Sequence, residues 1–469
     1  MKANCIQTNH CFVLAVVLSF GISSLASAQT YGPNPITLKG YSGGKTDSTA
    51  YTGQAARQVL HTSLKKLASQ GNGSNAKELK ELMMQYFSGK EEGRTIIAPG
   101  SRDGFTIAQS TIDQISKGVN LKGKTYKGVV NGWPGKMTGS EVIEFMINKA
   151  ANTKGGFDPV TGFDYPQLIS KFAMGAVFYH QAVDNYLDEK LEADNKPNDR
   201  PYGEGKHYTG KEHSWDEGFG YFGAPVHTLN LDANQAYGIA KMKDQAVADY
   251  NKDGKVDLYR EMTYAHAYYA ADSDKAGTDY LHSIFKAFLD GRKLIAGANG
   301  EALNPDQRAQ LKAYAETIKT LWEKVIAEAV FKYAGSVYKD LEKLQTIVET
   351  GGNAGDTFRA YAKHWGELKG FAMALETGGK DLGEVGTRIN RLIGYGPVLL
   401  GGGQVTGIDA DGNYQIGGTR DIGGYMVHML KLQKLMDDTY NLEAKKNDAT
   451  GDLEGLVNAL SEGSYSEND

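Results

Sequence analysis

Residues 356–377 read DTFRAYAKHWGELKGFAMALET, and this stretch decides the fold class. Phe358, Tyr361, Trp365, Leu368, Phe371, Ala372 and Leu375 recur at the three- and four-residue spacing of one helical face. Asp356 is the expected N-cap. His364 and Glu367 are three residues apart, so on a helix their Cβ atoms stand about 5–6 Å apart on one side. An imidazole and a carboxylate at that spacing can grip one metal ion, as Glu-x-x-His pairs do inside metal-binding bundles. Spacing by itself is weak support, because such a pair is more often solvated or locally hydrogen-bonded than a ligand set.

Other segments show the same period. Apolar stripes begin near Gln54, with Val59, Leu60, Leu64 and Leu67, then at Leu79–Phe87 and at Val142–Met146. Asp164 caps a helix with Pro166 in its first turn and Leu168, Phe172, Ala176, Tyr179, Val183 and Leu187 along one face. Further helices are expected over about 234–248, 262–272, 279–296, 304–344 and 421–438. Period-two alternation is scarce. The expected fold is all-α, most simply two helical bundles sharing an interface. Glycine, 58 of 469 residues or about 12% against a usual ~7%, concentrates between helices, notably at 394–424, so long glycine-rich connections are expected.

The first 28 residues have the form of a secretory leader. Lys2 is followed by an apolar stretch, Cys11–Phe20, too short to span a bilayer, and Ala26-Ser27-Ala28 fits a cleavage site before Gln29. Cys11 is at the start of that stretch and not after it, so it is not placed to carry a lipid anchor. The expected organisation is a signal peptide at 1–28, an extended arm at 29–52 and a helical domain at 53–469. The protein is then periplasmic or secreted, with no transmembrane segment. Cys5 and Cys11, the two cysteines, leave with the leader, so disulfides, zinc–thiolate sites and cysteine catalysis are excluded from the mature chain. With 51 basic and 56 acidic residues and no basic tract, nucleic acid is not an expected partner.

The segment Asp249-Tyr250-Asn251-Lys252-Asp253-Gly254-Lys255-Val256-Asp257 follows an EF-hand-type loop. It has oxygen side chains at positions 1, 3, 5 and 9, glycine at 6 and an apolar residue at 8, while position 7, Lys255, offers its backbone carbonyl. Calcium needs this because six to eight oxygens must converge on it. Position 12 is Arg260, and the carboxylate arrives one residue late as Glu261. The bland alternative is a metal-free turn, which Asp, Asn and Gly also favour. Calcium at Asp249, Asn251, Asp253, Lys255, Asp257 and Glu261 is the preferred expectation, in a structural role.

The His364–Glu367 segment resembles the His-x-x-Glu motif of the imelysin-like proteins, bacterial cell-envelope proteins linked to iron uptake. The likeness extends to Phe172–Leu187 and to His213–Pro225, whose core is Trp215-Asp216-Glu217-Gly218-Phe219-Gly220-Tyr221-Phe222-Gly223, and so covers roughly residues 50–440. Ala362 stands where the family usually has glycine two residues before the histidine. The resemblance implies an exported helical protein that binds a metal ion or a small iron-bearing ligand in a pocket between helices. His364 and Glu367 would be ligands, joined by some of His213, Asp216, Glu217 and His180. Nitrogen and oxygen donors suit iron, zinc, copper or manganese alike, so iron comes from the resemblance. His213 with Glu217 and His180 with Asp184 are four apart, a spacing that also fits local hydrogen bonding.

Two rival functions follow from the same residues. One is a metal-dependent peptidase or hydrolase with Glu367 as general base, although a His-Glu-x-x-His helix is absent because residue 368 is Leu. The other is a calcium-stabilised envelope scaffold that binds a protein or a glycan. Gly132-Trp133-Pro134-Gly135-Lys136 runs into Met137 and is no phosphate loop, and Gly401-Gly402-Gly403 lacks a strand–helix setting. Asp409–Asn413 reads as a turn.

Overall fold

The computed structural model describes residues 29–192, 195–418 and 421–462, with 459–462 described by backbone alone. The leader expected at 1–28 lies outside the described residues. From Gln29 to Tyr51 the chain is an arm without helix, but it is not loose. Tyr31 is buried and stacks on Phe219 at 3.6 Å between ring centroids.

The helices are α1 (Thr52–Ala68), α2 (Ala76–Phe87), α3 (Gly139–Ala151), α4 (Tyr165–Ala173), α5 (Gly210–Phe222), α6 (Ala233–Ala240), α7 (Gln245–Ala248) and α8 (Ala265–Asp274). They continue as α9 (Tyr280–Gly297), α10 (Pro305–Glu349), α11 (Gly355–Leu375), α12 (Gly383–Ile393), α13 (Ile422–Tyr440) and α14 (Leu453–Glu462). Two antiparallel ribbons accompany them: β1 (Phe157–Asp158) with β2 (Phe163–Asp164), and β3 (Gln404–Ile408) with β4 (Tyr414–Gly417). The fold is all-α.

Local chemistry explains the clearest boundaries. Asp164 accepts from Gln167 N at 3.1 Å and Pro166 lies in the first turn, so α4 starts where its sequence indicates. Asn304 and Gln307 form a reciprocal capping box at α10, whose 45 residues run for about 68 Å. The apolar stripe of α11 is buried along its length. Its cap differs from expectation: Ala354 is the N-cap and Asp356 lies inside the first turn. The helix expected at 234–248 is broken, because Met242 adopts a left-handed φ of 51° and Asp244 recaps the chain by accepting from Val247 N at 3.2 Å. The ribbon β3–β4 replaces part of the long connection expected at 394–424, and its turn is Asp409–Asn413, closed by Asp409 N donating to Asn413 O.

Two helical groups meet at the middle of the molecule. One gathers α1, α2, α3 and α4; the other gathers α8, α9, α10 and α13. The α11 helix packs on both α10 and α4 and joins them. Its approach to α4 is close, since a Cβ on Gly370 would stand 2.5 Å from Lys171 Cβ and one on Gly175 would stand 2.2 Å from Ala374 Cβ. Beyond Ala173 the α4 helix widens into π turns over Met174–Tyr179 and Gln181–Tyr186.

Candidate functional site

A cavity of about 560 Å³ opens where these groups meet, a size suited to a small ligand. Its walls come from α1 (His61, Lys65), α4 (Ser170, Lys171), α8 (Tyr268, Tyr269), α10 (Lys332, Tyr333, Ser336) and α11 (Lys363, His364, Glu367). The α6–α7 break adds Lys241 and Met242.

His364 and Glu367 are therefore on one wall, as their spacing requires. His364 Nδ1 lies 2.6 Å from Asp340 Oδ2 across the α10–α11 contact. With the Nδ1 proton donated to that carboxylate, Nε2 is left as a lone-pair nitrogen; this tautomer is assigned from the hydrogen bond. Glu367 is 7% exposed, 3.8 Å from Lys171 Nζ and in hydrogen-bonding contact with the Tyr333 hydroxyl. Tyr269 and Tyr333 share a hydrogen bond at 3.4 Å between hydroxyls.

Charge distinguishes this cavity. Lys65, Lys171, Lys241, Lys332 and Lys363 line it, against one acid, Glu367. Lys171 is 4% exposed at the bottom, Lys65 and Lys332 are half-buried, and Lys241 and Lys363 stand exposed at the rim. Burial pushes the Lys171 amine far below the ordinary lysine value, and neighbouring Lys65 pushes it further. Burial lowers Lys65 as well, with Glu367 opposing. His61 donates to or accepts from Ser170, 2.9 Å from its carbonyl oxygen and 3.2 Å from Oγ, and burial brings its pKa down to about 3.

The other expected ligands do not join this set. His213, Asp216, Glu217 and His180 are absent from the cavity lining, so none of the four expected partners joins His364 and Glu367 there. Asp216 is fully buried elsewhere, accepting from Arg292 Nε at 3.0 Å, Tyr31 Oη at 2.8 Å and Ala50 N at 3.0 Å. Burial raises its pKa to about 6, with Arg292 opposing. Arg292 also donates to Glu212 Oε1 at 3.1 Å and Ser48 Oγ at 2.6 Å, so the group straps the N-terminal arm to α5 and α9. His213 Nδ1 is 3.0 Å from Ala50 O, and its ring stacks on Tyr208. Glu217 accepts from Gln54 Nε2 at 2.6 Å. His180 is 3.2 Å from both Thr377 O and Asp184 Oδ2 and borders a separate depression with Lys124 and Tyr126.

The 249–261 loop is closed by its own backbone. Asp249 accepts from Asp253 N at 3.1 Å and Gly254 N at 2.8 Å, while Lys252 and Gly254 adopt φ values of 60° and 85°. Asn251 and Asp253 face each other at 3.1 Å, and Asp253 also accepts from Lys255 N. Glu261 reaches in despite its late position, accepting from Asn251 N at 3.0 Å and Asp257 N at 2.8 Å. Val256 is buried and exchanges backbone hydrogen bonds with Thr106 and Ala108. Burial raises the Glu261 carboxyl, and Asp257 and Asp249 add to the rise. Among the described residues, no group of three or more His, Cys, Asp or Glu is arranged to hold a metal ion.

The profile of a domain of unknown function, DUF4856, matches residues 147–382, half of the chain. The chain belongs to the DUF4856 family. The DUF4856 segment carries α4, α8, α10 and α11 whole, while His61 and Lys65 precede it. No curated protein and no solved structure matches the chain. No helix among the described residues is long and apolar enough to cross a membrane.

Proposed function

We propose that this DUF4856 protein is an imelysin-like binding protein of the bacterial envelope that takes an anionic metal chelate into the central cavity. The observation that carries the reading is that His364 and Glu367 share one cavity with five lysines and no second acid. The Asp340 carboxylate behind His364 resembles the outer-shell partners that orient metal-binding imidazoles. Two protein donors are too few for a bare ion, which takes four or more. They suit a metal whose other positions are filled by an acidic chelator, and the lysines match such a chelator's charge. Iron is favoured by the resemblance to imelysin-like proteins. The hydrolase reading has less support, because Glu367 is already engaged by Lys171 and Tyr333.

Equilibrium dialysis against ferric citrate tests the proposal: wild type retains iron, and His364→Ala with Glu367→Gln loses at least about tenfold in affinity, some 1.4 kcal/mol. Equal retention by the double variant would refute it. Export at the 1–28 leader is tested by N-terminal sequencing, which should begin at Gln29; a chain starting at Met1 refutes it.

We also propose calcium in the 249–261 loop, in a structural role. Glu261 is 2% exposed beside Asp249 and Asp257, a clustering of like charge that a divalent cation would relieve.

A further inference from the structure

We infer that the floor of the cavity is an oxyanion subsite, in which Lys65 of α1 and Lys171 of α4 clasp a carboxylate or phosphate group. The inference rests on the cavity being a ligand site, but not on a metal being bound there.

Buried lysines elsewhere in this fold are satisfied by backbone carbonyls. Lys211 Nζ donates to the carbonyls of Lys190, Leu191 and Glu192 at 2.9–3.0 Å, and Lys369 Nζ donates to Gly394 O at 2.8 Å. Lys171 has a different environment. It lines one cavity with Lys65, and its Nζ has Glu367 3.8 Å away and the rings of Tyr269 and Phe371 at 5.1 and 5.8 Å. Two amines and one carboxylate, itself shared with Tyr333, leave this floor with more hydrogen-bond donors than acceptors. An oxyanion between the two amines would favour their protonated forms and accept a charge-assisted hydrogen bond from each.

The positions follow from the fold. His61 and Lys65 are one turn apart on α1, so they share a face. Lys171 is fixed opposite by the close α4–α11 approach at Gly370. Of the remaining cations, Lys332 is paired with Asp272 at 2.7 Å and Lys363 is at the rim, while exposed Lys241 adds its positive charge to the field at the floor. The cavity above the pair is large enough for a small organic acid or phosphate ester.

The test uses full-length mature protein stripped of metal on a chelating resin, titrated calorimetrically with orthophosphate and, separately, with citrate. At least one anion should bind and raise the melting temperature, because it binds only the folded state. A response to citrate alone identifies a carboxylate subsite, and one to phosphate alone a phosphoryl subsite. Lys171→Met and Lys65→Met should each weaken that binding at least about tenfold. Lys434→Met, on the exposed side of α13, should bind as wild type does. If neither anion binds wild type, or if both cavity variants bind as tightly as wild type, the inference is overturned. Ferric citrate is titrated in parallel: binding of ferric citrate without binding of either metal-free anion overturns the subsite while sparing the proposed function. Metal-free binding with no gain from iron supports the subsite and counts against the metal.

Discussion

His61 and His266 are held neutral by burial, which brings each down to about 3. Both titrate near 6.5 in an unfolded chain, so between about 6.5 and 3 the unfolded state binds more protons and stability falls with pH. By pH ~5 each histidine should cost about 2 kcal/mol relative to pH 7. Asp216, raised to about 6, acts in the opposite sense, its contribution growing as pH falls from about 6 toward 3.8. His266→Phe isolates one term, since its ring lies among Trp322 and Tyr179 and both ring nitrogens lack a protein partner. Urea melts at pH 7 and pH 5 should show the variant losing about 2 kcal/mol less than wild type; an identical loss would contradict the assignment. At this scale the sequence was partly legible. The His364–Glu367 pair stood out because helical spacing is fixed by three to four residues. Lys171 carried a usable signal, being the one lysine, arginine or carboxylate between Tyr165 and Val183. Arg292 carried none, because the Asp216, Glu212 and Ser48 partners that bury it come from segments distant in sequence.

Helices capped by short-range chemistry were readable, and those defined by tertiary contact were not. The α4 and α10 boundaries follow from Asp164 with Pro166 and from Asn304 with Gln307, interactions three residues long. The break between α6 and α7 depends on Met242 taking a left-handed backbone conformation that no local residue preference indicates. The turn at 249–261 was legible, because the Asp, Asn and Gly residues that close it are consecutive in the chain. Even the displaced Glu261 is brought back by hydrogen bonds to Asn251 N and Asp257 N. If calcium occupies it, melting temperature should rise with calcium and fall with chelator. Asp249→Ala with Asp253→Ala should remove that dependence. A wild-type melting temperature that is the same in millimolar calcium and after exhaustive dialysis against chelator would rule the ion out.

The whole molecule is two helical groups joined along α11, with a cavity at the junction lined mainly by α1, α4, α8, α10 and α11 and by several connecting segments. That arrangement accounts for what the sequence withheld. Segments of one family resemblance, His213–Pro225 and His364–Phe371, suggested one shared site, but α5 turns Asp216 toward Arg292 and the N-terminal arm while α11 turns Glu367 toward Lys171. Membership of a common fold does not bring polar residues to a common point. The lysine excess of the cavity could not be counted before the packing was known, since Lys65, Lys171, Lys241, Lys332 and Lys363 are scattered over some 300 positions. In the proposed function, His364 and Glu367 complete the coordination of a metal brought in by an acidic chelator. The most direct measurement is anomalous diffraction at the iron edge from crystals grown with ferric citrate. One strong peak is expected in the cavity, within bonding distance of about 2.0–2.3 Å from His364 Nε2 and a Glu367 oxygen. A peak elsewhere, or none in crystals whose cavity is open to solvent, would contradict it.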